Sequence, residues 1–572
     1  MTRTYGTMVY ERRPPQQWVI TRLEPHVTIR LKQQFPRLEK TAPPPYRFPD
    51  DLAHAADLDW FLMRYPLEMS EADAAHLKDG KLKFDLELAE MERILAPDYT
   101  PPAYAGLKPG FVVRGYQSQA VEVLKRSGGL LLGDDVGLGK TYTAYASLLD
   151  PAALPAAIVC QGHVQKQWLD VCNKFTSLSA FAIRNTKPQS LMPHDAYIWR
   201  YSQLAGWSDA FGLFKFKTVI FDEPQELRTG TASDKGMAAL RLVDGAKFRL
   251  GLSATPIYNY GTEIWNVMQF IRPGLLGSRF DFLREWTDDW KTIKDPKALG
   301  SFLRENHAFL RRTKKDVGQE VPPVNKVVEH IGHDEKAIRS IDDLAHHLAV
   351  RATSGSFIER GQATRDLDLR VRHATGVAKA PYVADFVRLL LESGEPVLLF
   401  GWHREVYEIW NERLADFKPV MYTGSESTAH KERSKRDFIE GRSDLMFMSL
   451  RAGAGVDGLQ ARCSTVVIGE LDWSPGVHHQ NIGRLDREGQ ANYPVNAFFL
   501  ITEDGSDPPM VEVLGLKASQ AAGIVDPSKV DVEIVHVGDP DHMKKLVERY
   551  LNRRARKKVE EAGQQAFALG AA

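Results

Sequence analysis

A lysine, two adjacent acids and two arginines stand out in this sequence as groups whose types and spacing suit chemistry on a phosphate. Lys140 follows Gly137 and Gly139 and precedes Thr141, at what reads as the start of a helix. Glycines there let backbone N–H groups close around phosphate oxygens, the lysine supplies a point charge for the outer phosphates, and the threonine hydroxyl suits Mg²⁺. Asp222 and Glu223 come directly after the apolar run Thr218-Val-Ile-Phe. In a parallel α/β sheet functional groups sit just past the carboxyl ends of strands. Asp222 is therefore expected to hold Mg²⁺ near that loop, and Glu223 to polarise an attacking water. Arg484 and Arg487 are three apart, hence on one face of a helix, and from there they can reach across a cleft to a bound nucleotide. Each feature alone also has a plainer reading: a glycine-rich turn that carries a lysine, two solvated acids after a strand, an exposed helix with salt-bridged arginines. Asp134 also stands where the general G-x-x-x-x-G-K-[ST] pattern has its first glycine.

The elements that must position these groups repeat a simple alternation. Leu130 to Leu132 reads as a buried strand feeding the glycine loop, and Arg114 to Leu124 as a helix before it. That helix carries Gln117, whose amide has the donor and acceptor that adenine's amine and N7 require. Ala156 to Cys160 reads as a strand, Gln161 to Phe175 as a turn and amphipathic helix bearing Trp168, and Phe248 to Leu252 as a strand leading into Ser253-Ala-Thr-Pro. A second series begins with a helical face of Val383, Phe386, Val387, Leu390 and Leu391. It continues through strands at Pro396–Phe400, Leu445–Met448, Thr465–Ile468 and Val495–Ile501. The pattern predicts an α/β protein with two doubly wound parallel-sheet lobes, of which only the first has a phosphate loop.

The chain of 572 residues, 43% hydrophobic, has room for several cores. Its 74 basic residues match its 74 acidic ones, so no global field steers it to a polyanion and any nucleic-acid contact must come from a local groove. Cys160, Cys172 and Cys463 lack metal-ligand or disulfide spacing and read as thiols in a reducing compartment. The adjacent pairs His346-His347 and His478-His479 point to different sides of any element. No signal pattern or membrane-length apolar run is present, so a soluble intracellular protein is expected, cytoplasmic in a bacterial or phage-infected cell or nuclear in a eukaryote. The expected divisions are an N-terminal accessory region (1–105), a first lobe (106–310), a connector with a helical insert (311–375), a second lobe (376–510) and a C-terminal helical extension (511–572). In the last of these, Met543, Leu546, Val547, Tyr550 and Leu551 form an apolar stripe for a bracing helix beside the basic run Arg553 to Lys558.

Taken in order, these motifs resemble the superfamily-two helicases and, within them, the Swi/Snf-type ATPases that translocate on duplex DNA. Tyr116-Gln117 is similar to the adenine-recognition motif, and Leu132-Gly-Asp-Asp-Val-Gly-Leu-Gly-Lys-Thr141 to that family's phosphate loop, in which an acidic residue at Asp134 is usual. Asp222-Glu-Pro-Gln225 resembles the Asp-Glu-Ala-His box, with Pro224 and Gln225 as departures at the positions that link it to the next motif. Ser253-Ala-Thr-Pro-Ile-Tyr-Asn259, Trp265 with Phe270 to Gly277, Leu310-Arg-Arg-Thr-Lys-Lys-Asp-Val317 with Pro322-Pro323, Ser449 to Leu459, Asp472-Trp-Ser-Pro475 and Gln480 to Gln490 continue the match. The resemblance implies two RecA-like lobes, ATP and Mg²⁺ as cofactors, and nucleotide contacts from Gln117, Gly137, Gly139, Lys140, Thr141 and Gln480. It also implies arginine fingers at Arg484 and Arg487, and strand-holding loops at Gln161–Gln167, Gly401–Arg404 and Arg451–Gly455. The activity implied is ATP-dependent translocation on, or remodelling of, duplex or forked DNA. An RNA-directed helicase and a nucleotide-dependent clamp that does not move are the alternatives.

Overall fold

Continuous apolar runs shielded on both faces form parallel sheets, because helices must cover both sides of them. Leu130 to Leu132, Ala156 to Cys160 and Val219 to Phe221 are all fully buried. The computed structural model describes residues 3–257, 261–288, 292–318, 324–339, 342–354, 357–451, 456, 458–487, 489–511 and 524. Lobe one is a seven-stranded, all-parallel sheet in the order Phe309–Leu310, Gly129–Leu132, Phe248–Leu252, Thr218–Asp222, Ala156–Cys160, Ala196–Arg200, Ala180–Ala182. Alternate side chains of each strand face opposite layers. Ile158 and Ile220 pack under the helices Gly115–Ser127, Lys140–Ser147 and Gln165–Phe175, while Val159, Val219 and Phe221 pack against Trp199, Trp207 and Leu242.

The register of this sheet decides where the chemistry sits. Leu132 and Asp222 both pair with Leu252. The loops beginning at Gly133, Glu223 and Ser253 therefore leave one carboxyl edge side by side.

Lobe two is a six-stranded, all-parallel sheet in the order Asn325–His330, Asn496–Ile501, Thr465–Ile468, Val397–Gly401, Leu445–Ser449, Val420–Tyr422. Its first strand lies in the stretch expected to be connector. None of that strand's residues is buried, so it lacks the apolar run that marks the others. The helices described in and beyond this stretch are Glu335–Arg339, Asp342–Ser354 and the 36-residue Phe357–Glu392. The last of these presents Val383, Val387 and Leu391 to the lobe-two core.

Residues before lobe one form a three-stranded antiparallel sheet, Gly6–Glu11, Gln17–Leu23 and Tyr46–Pro49, with helices Pro25–Gln34, Leu52–Arg64 and Glu71–Leu95 around Trp18, Phe48 and Phe61. Met91 and Ile94 at the end of the last helix are buried in the lobe-one core. That core therefore reaches back past residue 105, where the sequence suggested a division. Beyond lobe two, Ile524 is 1% exposed among Leu131, Ile264 and Phe309, so the chain returns to lobe one. The expected bracing stripe at 543–551 and basic run at 553–558 lie outside the described residues, as do 452–455, Asp457, Tyr258, Asn259, Pro322 and Pro323. Among the described residues no helix is long and apolar enough to cross a membrane, and the three cysteines are buried and free.

Candidate active site

Gly137 and Gly139 adopt φ of 91° and 77°, left-handed values that strain any side chain. A Cβ on Gly139 would lie 2.7 Å from Gln117 Nε2. Gly139 caps the helix Lys140–Ser147, whose first residue folds back over its own loop: Lys140 Nζ donates to the carbonyls of Asp134 at 2.7 Å and Asp135 at 3.2 Å. Burial pushes the Lys140 pKa down, against the pull of Glu223 and Asp134.

The acid at position 134 is a structural anchor. Fully buried, it accepts from Arg312 Nε at 2.9 Å, from Arg312 Nη2 at 2.5 Å and from the Arg312 backbone N–H at 3.0 Å. Its neighbour Asp135 accepts from Arg311 Nη2 at 2.8 Å and from the Lys314 backbone N–H at 3.3 Å. A glycine at 134 would leave Arg312, itself only 9% exposed, as a buried charge without its carboxylate, a loss worth about 3–5 kcal/mol. The segment Arg311–Lys314, which the sequence marks as part of the motif run Leu310 to Val317 without giving its residues a role, thus fastens the phosphate loop.

Across the sheet edge, Asp222 Oδ2 accepts from the Trp168 indole N–H at 2.9 Å, and the Trp168 carbonyl accepts from the Tyr145 hydroxyl at 2.7 Å. Glu223 sits at φ 60°, and its Oε2 accepts from Ser253 Oγ at 2.6 Å and from Gln225 Nε2. Ser253 therefore joins the acid box directly to the next motif, and Gln225, in place of a histidine, braces the same carboxylate. Trp168 escaped sequence reasoning, because in sequence it is one apolar position on an amphipathic helix.

Burial and then the neighbouring Glu223 push the Asp222 pKa up to about 7, with the Trp168 bond and Lys140 opposing; burial also raises Glu223. A folded-state pKa above the unfolded value means that the ionised acid costs stability. The cost begins as pH rises past the ordinary carboxylate value near 4 and is complete above about 7. Asp222→Asn, whose amide oxygen still accepts from Trp168, should therefore raise thermal stability in nucleotide-free buffer by on the order of 1–3 kcal/mol at pH 8 and by much less at pH 4.5. Calorimetry at the two pH values tests this, and an equal gain at both, or a loss at pH 8, contradicts it.

Lobe two meets this edge through the helix Pro475–Ile482 and the turn after it. A cleft of about 720 Å³ between the lobes is lined by Gly137, Gly139, Lys140, Thr141, Asp222 and Glu223 from lobe one and by Gln480 and Arg487 from lobe two. Gln480 Nε2 donates to Thr255 Oγ1 across it at 3.2 Å. Arg487 is held by bonds from Nε to the Gly483 carbonyl at 2.9 Å and from Nη1 to the Val456 carbonyl at 3.3 Å. Gln161, His163, Lys166 and Gln167, expected in a strand-holding loop, line the same cleft.

Two expected contacts are not in the cleft wall. Arg484 turns into lobe two, 2% exposed, with its guanidinium 5.8 Å from the centre of the Phe400 ring; burial and then Arg487 push its pKa down to about 9. The geometry of the turn explains this, since Arg484 and Arg487 lie just past the helix end and do not share a face there. Gln117, 4% exposed, spends its amide inside lobe one: Oε1 accepts from the Arg114 backbone N–H at 3.0 Å and Nε2 donates to the Leu138 carbonyl at 3.3 Å.

The remaining groups fit a magnesium–nucleotide. The cleft is of ligand size. A hydroxyl at Thr141 and a carboxylate at Asp222 are the hard oxygen donors that Mg²⁺ takes alongside phosphate oxygens. Among the described residues no cluster of three or more His, Cys, Asp or Glu is placed to hold a metal by itself.

Two family profiles match the chain, one after the other. Residues 58–363 match the profile of the SNF2-related domain, and residues 379–489 that of the helicase conserved C-terminal domain. An uncharacterized ATP-dependent helicase of Mycoplasma genitalium is 23% identical over 439 residues, covering 71% of this chain and 41% of that one. The SWI/SNF-related matrix-associated actin-dependent regulator of chromatin subfamily A-like protein 1 of Xenopus laevis is 26% identical over 455 residues, covering 75% and 45%. The DNA annealing helicase and endonuclease ZRANB3 of Mus musculus is 24% identical over 427 residues, covering 70% and 39%. The chain thus spans less than half the length of these relatives. With one profile covering more than half of its residues and the second following on the other sheet, the chain belongs to the SNF2-related family.

Proposed function

We propose that this protein is an ATP-driven motor that moves along or remodels duplex DNA. The observation that carries the reading is the shared cleft, in which Lys140, Thr141, Asp222 and Glu223 of lobe one face Arg487 and Gln480 of lobe two. The loop amides and Lys140 bind the outer phosphates, and Thr141 and Asp222 are the residues that would hold Mg²⁺, which would supply neutralisation of the phosphate charge. Glu223, held by Ser253 and Gln225, accepts a proton from water as the water oxygen bonds to the γ-phosphorus and the bond to the β–γ bridging oxygen breaks. A carboxylate whose pKa is raised by burial is the stronger base for that step. Arg487, arriving from lobe two, stabilises the charge that develops on the phosphoryl oxygens.

Hydrolysis then removes the γ-phosphate contacts that hold the lobes together, and the cleft opens. If each lobe also grips a nucleic-acid backbone, one cycle advances the grip. On lobe two a grip is available at Trp402, 37% exposed, with the Arg451 guanidinium 5.5 Å from its ring centre and held by Asp472 at 2.9 Å. Phosphate contacts of this kind ignore sequence, which suits a motor. Relatives named for ATP-dependent helicase and DNA-annealing activity support DNA as the track.

The test is steady-state ATP turnover with single-stranded, duplex and forked DNA and with RNA. Duplex or forked DNA should stimulate turnover most. A larger stimulation by RNA moves the assignment to an RNA-directed helicase, and tight DNA binding with no stimulation moves it to a static clamp.

A further inference from the structure

The lobe-one segment that fastens the phosphate loop also grips lobe two, at the residue next to Arg487. Lys314 Nζ lies 2.5 Å from Asp486 Oδ1 and 2.7 Å from the Asp486 carbonyl oxygen, with only 8% of the Lys314 side chain exposed. That carbonyl belongs to the peptide unit joining Asp486 to Arg487. The lysine thus pins both a side chain and the backbone from which Arg487 projects. On the lobe-one side, the Lys314 backbone N–H donates to Asp135 Oδ2 at 3.3 Å. Arg311 Nη2 donates to Asp135 Oδ1 at 2.8 Å and Arg311 Nη1 to the Gly133 carbonyl at 2.7 Å. One step further along the loop, Val136 packs so closely on lobe two that a Cβ on Gly483 would lie 3.0 Å from its Cγ2. Asp135, Val136, Lys314, Gly483 and Asp486 together line a second, smaller cavity of about 220 Å³ behind the phosphate loop.

We infer that Lys314 is a positioning residue, which sets the register of Arg487 against the phosphate loop by tying Asp135 on one lobe to Asp486 on the other. The inference rests on the reading of Arg487 as a group that acts on the phosphates. A half-buried ion pair adds little stability, but with the second bond to the Asp486 carbonyl it fixes the lysine against both a side chain and the backbone of the turn. A reacting arrangement tolerates little slack, and a misplacement of about 1 Å costs on the order of 10²-fold in rate. Lys314 itself reaches Asp486, not the cleft, so its effect must pass through the neighbouring arginine.

The experiment is a double-mutant cycle on the full chain, using Lys314→Met, Arg487→Ala and the double variant. Readouts are kcat, KM for ATP, nucleotide affinity measured with a non-hydrolysable ATP analogue, and the thermal midpoint. Lys314→Met should lower kcat by about 10–10²-fold with nucleotide affinity within about 3-fold of wild type, and should have no further effect once Arg487 is alanine. Asp486→Asn, at a side chain 26% exposed, breaks only the ion pair. It should show a smaller fall in kcat with the same dependence on Arg487, and it serves if Lys314→Met does not fold. An equal loss from Lys314→Met in both backgrounds overturns the inference and leaves the catalytic reading in place, as does unchanged kcat in Lys314→Met. An Arg487→Ala variant with wild-type turnover overturns both.

Discussion

Glu223→Gln should bind ATP as tightly as the native chain and hydrolyse it about 10²–10⁴-fold more slowly, the range expected when one positioned general base is removed. The substitution is nearly isosteric, and a carboxamide oxygen can still accept from Ser253 Oγ and Gln225 Nε2, the two groups that hold Glu223 Oε2. The backbone at this position, at φ 60°, is set by the turn after the strand Thr218–Asp222 and does not depend on the charge. Removing an acid whose ionised form burial disfavours should if anything stabilise the fold, so lost turnover is not lost structure. Single-turnover hydrolysis alongside equilibrium nucleotide binding separates the outcomes. Turnover within about 3-fold of wild type would take Glu223 out of the proton-transfer step, and a parallel loss of nucleotide affinity would make it a binding group.

How much of this was legible in the sequence depends on whether a residue's role is local. The buried strands at 130–132, 156–160 and 218–221 announced themselves as apolar runs, and with them the places where loops had to leave the sheet edge. The lobe-two strands at 397–401, 445–449 and 465–468 were legible for the same reason. Strands that lack an uninterrupted apolar run were not. Ala180–Ala182, Val420–Tyr422, Phe309–Leu310 and Asn325–His330 are short, peripheral or polar, and the sheet recruits them by pairing. Ala196–Arg200 is buried, but further aromatic and apolar residues from Tyr201 to Phe216 follow it directly and blur its end in the sequence.

The candidate site divides in the same way. Lys140, Thr141, Asp222 and Glu223 sit at strand ends that the alternation of elements fixes, and they line the cleft. Arg484 and Arg487 were assigned one helical face by spacing, but the helix stops at Ile482, and only Arg487 faces the cleft. Gln117 reads in sequence as a free amide, because sequence cannot show that it already accepts from the Arg114 N–H and donates to the Leu138 carbonyl, which uses one acceptor and one donor position. The roles of Trp168, Arg312 and Lys314 depend on partners 54, 178 and 172 residues away, beyond the reach of any local pattern. Only Asp134 left a trace. A carboxylate in place of a loop glycine, once buried, demands a cation, and Arg312 supplies it.

The central claim is that the hydrolytic centre is shared, with phosphate binding on lobe one and charge stabilisation arriving from lobe two. Arg487→Ala bears on it most directly, because the residue lies in the second sheet's lobe and yet lines the same cleft as Lys140. Arginines that reach a transferring phosphoryl group are worth about 10³–10⁵ in turnover. The measurement is DNA-stimulated ATP turnover by Arg487→Ala, with nucleotide affinity determined on the same preparation. The expected result is a fall in turnover of at least about 10³-fold with affinity held within about 10-fold. Turnover close to that of the native chain would contradict the account, because lobe one would then hydrolyse ATP without help from lobe two.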